Sequence, residues 1–280
     1  MLKSGLVGRS ILHSRSPWLH EQEARANGLA LSYELVDFTD RGLGDGDLPR
    51  VIADLAASGF VGFNVTYPFK QQVVSLLDGL DDSARTVGAV NTVAIRDGRL
   101  TGHNTDMAGF RQSVVEGLAD APMERVLQLG AGGAGAAVAS ALLSLGVARL
   151  DLTDLDRDRA DQLADRLNGH FGTDRVRVVS PGLVETAAAD GIVNTTPVGL
   201  ASNPGVPIAA ELIKPRHWVA DIVYFPLETA LLRLARTKGC RTLDGSGMVV
   251  HQAAAAFAII TGAPADPTRM RASFGGAQPA

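Results

Sequence analysis

The segment Gly62-Phe-Asn-Val-Thr-Tyr-Pro-Phe-Lys-Gln71 sets a lysine just after two short polar side chains, and Asn104-Thr-Asp106 supplies a carboxylate farther along the chain. Tyr67-Pro68 reads as a helix start, because proline's fixed φ and missing N–H suit the first helical position. A helix over residues 68–77 is therefore expected, with Lys70 in its first turn. The partial positive charge at that end disfavours an ammonium, so a lysine there could take up a proton near neutral pH. Asp106, in the first turn of a helix capped by Asn104, sits where a carboxylate is favoured and stays ionised. If the two side chains meet, the helix end pushes Lys70 toward neutrality while Asp106 orients its ammonium form. That is a proton-transfer pair. The plainer readings are a solvated helix lysine and a helix cap.

Four polar stretches fall where elements end: Ser14-Arg-Ser16-Pro, Asn64-Val-Thr66, Gly88-Ala-Val-Asn91-Thr and Asn104-Thr-Asp106. Ligands of open α/β sheets bind outside the carboxyl ends of the strands. Hydroxyl and amide groups suit a small, hydroxylated, weakly charged substrate. Singly, each stretch is an ordinary turn or cap; the set carries the argument.

A second site is expected downstream. Val126-Leu-Gln-Leu129 reads as a strand and runs into Gly130-Ala131-Gly132-Gly133-Ala134-Gly135, followed by an apolar helical run. The spacing G-x-G-x-x-G between strand and helix lets the backbone turn tightly, approach a pyrophosphate and pack helix on strand. Asp154 ends the next strand, where an acid accepts hydrogen bonds from a ribose 2′-hydroxyl, so the expected cofactor is NAD. A 2′-phosphate would meet like charge at Asp154 and a leucine at Leu155, although Arg157 and Arg159 could soften that rejection.

The elements that must position these groups alternate. Strand and helix patterns recur over the first hundred residues, with Asp97-Gly98 as the turn of a hairpin closing the sheet edge. The alternation restarts after Gly102 in a doubly wound pattern: strands 125–129, 149–153, 175–179, 191–195 and 218–223, with helices 134–145, 157–167 and 228–238. Helices 247–261 and 267–273 have no strand to follow and are expected to cover an exposed face or return to the first unit. The expected class is α/β: an N-terminal substrate domain (1–103) with a mostly parallel sheet, a Rossmann domain (104–244) and C-terminal helices (245–280) packing back on the first domain.

The composition fits a globular protein. The chain has 280 residues, 46% apolar and 20% charged, with a net charge of −4. There is no basic excess to bind nucleic acid or an anionic membrane, and no apolar run reaches the roughly 18 residues of a membrane span. The lone cysteine, Cys240, cannot form an internal disulfide, and the N-terminus lacks the pattern of a signal peptide, so the cytoplasm is the expected compartment. No metal is expected, and a monomer or homodimer acting on a small molecule is.

The motifs S-R-S-P, N-V-T-Y-P-F-K, G-A-V-N-T, G-H-N-T-D, G-A-G-G-A-G, N-T-T-P-V-G and D-G-S-G-M-V-V-H-Q-A-A-A-A-F follow one another over nearly the whole chain. Together they resemble the shikimate dehydrogenase family. The resemblance implies Lys70 and Asp106 as the catalytic pair. It implies Ser14, Ser16, Asn64, Thr66, Asn91, Tyr224 and Gln252 as substrate contacts, with the serines facing a carboxylate. It extends the cofactor contacts from the glycine turn, Asp154 and Leu155 to Thr195, Pro197, Val223, Gly245 and Met248. Biosynthetic members typically carry Asn-Arg-Thr after the second Rossmann strand and use NADP. Asp154-Leu-Asp156 is more similar to the NAD-linked quinate/shikimate dehydrogenases, as are the surroundings of His103 and His251. The expected reaction is oxidation of a ring hydroxyl of quinate or shikimate, by hydride transfer to nicotinamide. Two other readings stay open: a dehydrogenase for an amino- or otherwise substituted acid, and a sensor that binds nucleotide without turnover. The roles of His13, His103 and His251 are undetermined.

Overall fold

The protein is described here by a computed structural model covering residues 1–276. Its contacts divide it into two compact units, Met1–Gly109 with the segment from Val250 onward, and Phe110–Val249.

The first unit begins with β1 (Leu2–Gly8), α1 (Ser16–Ala26), β2 (Leu31–Asp37), α2 (Leu48–Ala57) and β3 (Gly62–Val65). It continues through β4 (Gly79–Leu80), α3 (Asp82–Val87), β5 (Thr92–Arg96) and β6 (Arg99–His103) into α4 (Thr105–Gly117). The sheet order is β2-β1-β3-β5-β6-β4. β1 runs parallel to β2 and β3, while β5 is antiparallel to both β3 and β6. Asp97 and Gly98, both at positive φ (51° and 75°), make the tight turn between β5 and β6 that a hairpin requires. On α2, Leu48, Val51, Ile52 and Leu55 recur at helical spacing and bury one face against a core holding Phe38, Phe63 and Phe69.

Two expectations for this unit need correction. The hairpin does not form the sheet edge, because the two-residue β4 pairs parallel to the far side of β6. A strand that short carries no readable periodicity. Residues 68–77 also form no α-helix: 67–71 are turn, and only Gln72–Leu76 wind, as a short 3₁₀-helix. Proline's fixed φ suits a turn as well as a first helical position, so the dipole argument for Lys70 falls.

α1 breaks the usual pattern by burying His20 and Glu23 beside Leu19 and Ala24. Glu23, 1% exposed, is held by Arg269 (2.6 Å) and by the backbone N–H of Asp266 (2.8 Å), which ties α1 to the last helix. His20 is walled in, and burial pulls its imidazole from the ordinary 6.5 down to about 4. Between those values the unfolded chain binds a proton that the folded chain refuses. Stability should therefore fall as pH drops from 6.5 toward 4, by at most about 1.4 kcal/mol per pH unit from this group. Urea unfolding at pH 7 and pH 4.5 checks this: a His20→Phe variant should lose less stability on acidification than the parent.

The second unit holds β7 (Arg125–Leu129), α5 (Gly133–Ser144), β8 (Arg149–Thr153), α6 (Arg157–Phe171), β9 (Val176–Val178) and β10 (Gly191–Asn194). β11 (Trp218–Asp221), α7 (Ala230–Thr237) and β12 (Arg241–Leu243) complete its sheet. The order β12-β11-β10-β7-β8-β9 is parallel throughout, the doubly wound arrangement whose direction reverses between β7 and β10. α8 (Ser246–Thr261) leads back to the first unit, where α9 (Pro267–Gly276) packs on α1. Trp18 and Arg15 donate to the Ser273 and Phe274 carbonyls there. Among the described residues, no helix is long and apolar enough to cross a membrane and no group of side chains could hold a metal ion.

Candidate active site

Strand direction alone gathers the polar stretches of the first unit. β1 and β3 are parallel, so the serine loop after β1 and Thr66 after β3 leave the sheet at one end. β5 runs opposite to β3, which brings its entry, Asn91-Thr92, to that same end, and β6 runs back to deliver Asn104 to Asp106 there. Gly8 and Thr66 lie so close that a Cβ on Gly8 would sit 2.4 Å from the Thr66 methyl carbon.

Lys70 meets Asp106. Its Nζ lies 2.6 Å from Asp106 Oδ2, with the lysine side chain 17% and the aspartate 7% exposed. Phe69, wholly buried against Phe38, anchors the turn, and the Val90 N–H donates to the Lys70 carbonyl (2.8 Å). Asp106 sits in the first turn of α4, which Asn104 caps by accepting from the Met107 N–H. The lysine is thus placed by a buried aromatic neighbour and a carboxylate, not by a helix dipole.

Beside this pair lies a buried amide and hydroxyl network. Asn91 Oδ1 accepts from the Thr105 N–H (2.8 Å), and its Nδ2 donates to Thr105 Oγ1 (2.9 Å). Asn64 Nδ2 donates to the Asn91 carbonyl (3.1 Å) and to Thr92 Oγ1 (3.0 Å). Gln252 Oε1 lies 3.5 Å from Thr105 Oγ1, and Ser14 donates to Ser16 (3.1 Å). The serine loop is pinned from behind by Asp37. Burial pushes that carboxyl up, but donation from the N–H groups of Ile11, Thr39, Ser10 and Asp40 outweighs burial and holds it below its ordinary range.

The structure thus brings Ser14 and Ser16 together and links Asn64, Asn91 and Gln252, with Lys70 on Asp106. Thr66 lies half-buried at the same sheet end, whereas Tyr224 belongs to the second unit, exposed in the loop after β11. Thr92 and Thr105 join the network although, of these two Asn-Thr pairs, only Asn91 was expected as a contact and Asn104 as a helix cap. Their signal was present, since both stand inside the motifs G-A-V-N-T and G-H-N-T-D. His103 Nδ1 is engaged by Asp81 (2.9 Å), His251 lies 3.4 Å from an Arg271 nitrogen, and His13 is exposed.

In the second unit, the glycine turn spans the reversal between β7 and β10. Gly130 has φ +105°, and a Cβ there would sit 2.7 Å from Thr195 Oγ1, which itself donates to the Leu129 and Gly130 carbonyls. A Cβ on Gly135 would lie 2.5 Å from the Gly130 oxygen, so the third glycine lets helix close on strand. Gln128, fully buried, braces the turn by donating to the carbonyls of Gly130 and Gly135. Gly132 faces open space, and the start of α5 has neither a side-chain cap nor an acidic residue in its first turn. Its unspent N–H groups and positive dipole end are what a pyrophosphate needs.

Asp154 Oδ2 accepts from the Ala131 N–H (2.6 Å), while Oδ1 takes the Asp156 N–H and the Arg159 guanidinium (2.7 Å). Burial raises this carboxyl, but Arg159 and the two N–H donors win and hold it below its ordinary range. Arg157 instead pairs with Asp161, and Leu155 is 95% exposed. Gly245 packs against the Ile222-Val223 backbone, Val223 and Met248 are buried, and Pro197 is exposed. These residues fit a dinucleotide.

Residues 6–93 match the model of the shikimate dehydrogenase substrate binding domain, and residues 245–273 that of the shikimate 5′-dehydrogenase C-terminal domain. The chain is 52% identical to a shikimate dehydrogenase (NADP(+)) of Streptomyces avermitilis over 275 residues, 96% of this chain and 94% of the relative. It is 47% identical to a quinate/shikimate dehydrogenase (NAD(+)) of Corynebacterium efficiens over 274 residues, 96% of each. The solved quinate dehydrogenase of Corynebacterium glutamicum in complex with NAD superposes with a TM-score of 0.92 at 43% identity, covering 99% of both chains. With an α/β fold built of mostly parallel sheets and likeness over nearly its full length, the chain belongs to the shikimate dehydrogenase family.

Proposed function

We propose that the chain oxidises a ring hydroxyl of quinate or shikimate to the 3-dehydro ketone, reversibly, with NAD as its cofactor. The observation that carries the reading is the 2.6 Å contact of Lys70 with Asp106 beside the Asn64–Asn91–Thr105 network. Bound nicotinamide supplies the hydride acceptor. Lys70 Nζ, as the amine, takes the proton of the substrate hydroxyl, and in the reverse direction its ammonium returns it. Asp106 orients Nζ and stabilises the ammonium that forms. Ser14 and Ser16 hold the acid's carboxylate; Asn64, Thr66, Asn91 and Gln252 hold its hydroxyls, with Tyr224 as a further contact. In this reading residues 1–103 form the substrate domain, 104–244 the NAD domain, and 245–280 the helices that complete the first.

NAD is favoured over NADP by Asp154, whose low proton affinity keeps it a carboxylate that accepts from ribose hydroxyls and repels a 2′-phosphate. The Arg159 guanidinium at 2.7 Å from Asp154 tempers that repulsion and supports some NADP turnover. An intact Lys70–Asp106 pair favours catalysis over a sensor role. Incubation with NAD and either acid should form reduced nicotinamide and, in equal amount, an acid lighter by two hydrogens. No reduction with either acid would contradict the proposal.

A further inference from the structure

Tyr33 lies on β2, two strands from Asn64: β1 stands between them, pairing Ser4 with Tyr33 and Leu6 with Asn64. Its hydroxyl reaches across that distance to Asn64. The ring is stacked on His20 at 4.6 Å with 29° between planes, and only 5% of the residue is exposed. His20 Nδ1 has no hydrogen-bond partner among the described residues, and Phe257 lies on the same imidazole at 6.1 Å. The ring therefore rests in an apolar cradle, where a phenylalanine would pack as well. What distinguishes the tyrosine is its hydroxyl, which donates to Asn64 Oδ1 at 2.8 Å beside that amide's own bonds to Asn91 and Thr92.

These bonds determine how Asn64 can be read. Both amide hydrogens are committed, one to the Asn91 carbonyl and one to Thr92 Oγ1. Turning the amide over would set Oδ1 against the Asn91 carbonyl, oxygen to oxygen, and would take the acceptor from Tyr33. Asn64 is thus locked with Oδ1 toward Tyr33, which uses one of that oxygen's two lone-pair sites. The other remains for a ligand hydroxyl, so Asn64 can only accept from it.

We propose that Tyr33 is a positioning residue of the hydroxy-acid site: without touching the acid, its hydroxyl sets the amide of Asn64. This rests on the reading of Asn64 as a substrate contact. The test compares Tyr33→Phe with the parent, and both substitutions with Asn64→Ala, in initial rates with NAD and the faster-oxidised acid. Tyr33→Phe keeps the His20 stack and should raise the KM for the acid about tenfold, the worth of one buried hydrogen bond. Its kcat should stay within about twofold, as should the KM for NAD, a split that loosened packing would not produce. In the Asn64→Ala background the effect of Tyr33→Phe should shrink to about twofold or less, because the two act on one interaction. An unchanged KM in Tyr33→Phe, or an undiminished effect in the Asn64→Ala background, overturns the proposal while leaving Asn64 a substrate contact. If Asn64→Ala itself leaves the KM unchanged, the underlying reading fails and the proposal with it.

Discussion

Replacing Lys70 by methionine should lower kcat by roughly 10²–10⁴-fold, the range lost when a positioned acid–base group is removed, with the affinity for NAD unchanged. Methionine keeps the length of the stem and removes the amine placed against Asp106, so proton transfer is lost while the turn around Phe69 persists. The substitution leaves Asp106, 5% exposed, without its cation, and a loss of about 1–3 kcal/mol in stability should accompany it. Rates are therefore to be compared at temperatures where circular dichroism shows both proteins folded. Asp106→Asn should also lose kcat, because an amide cannot stabilise the ammonium as a carboxylate does. If Lys70→Met retained near-normal kcat, the pair would be a structural ion pair. If Asp106→Asn lost only thermal stability, its position in α4 would be a matter of helix chemistry alone.

The second large effect is expected at Asp154. Asp154→Asn keeps an oxygen for the Ala131 N–H but loses the charge that strengthens hydrogen bonds from the ribose diol. A charge-assisted hydrogen bond contributes about 1.5–3 kcal/mol, so kcat/KM with NAD should fall roughly 10–100-fold. With NADP it should rise, because like-charge repulsion at Asp154 disappears and Arg159, released from Asp154 and left only with the 3.9 Å contact to Asp156, can turn to a 2′-phosphate. Arg159→Ala in the parent should leave NAD turnover nearly intact and reduce whatever NADP turnover exists. A variant Asp154→Asn with an unaltered ratio of NAD to NADP use would show that specificity is set elsewhere.

The two sites differed in how much of them could be read from the amino-acid order. The glycine turn is contiguous: strand, G-x-G-x-x-G and helix follow within twenty residues, and β7, α5 and β8 lie within a residue of where pattern placed them. The Asp97-Gly98 hairpin and the Asn104 cap are equally local devices. Lys70 was singled out for a local reason that the fold does not use, since residues 67–71 form a turn and not a helix end. Its tie to Asp106 spans 36 positions and depends on the register of β5 with β6. β4, α3 and β12 are too short for periodicity to reveal. Tyr33 had no local signal at all. A tyrosine in a strand is ordinary, and only the order β2-β1-β3 and its register bring the hydroxyl to Asn64. The strand-end stretches were legible as a set, and the Tyr33 contact, made across two parallel strand pairs, was not.

The central claim, an NAD-linked oxidation of quinate or shikimate, is tested most directly by initial rates of cofactor reduction with each acid, each measured with NAD and with NADP. The account predicts turnover with at least one acid, with kcat/KM for NAD at least about tenfold above that for NADP, the effect of one charged contact. Turnover that favours NADP would contradict the role given to Asp154, and no turnover with any of the four combinations would contradict the assigned reaction.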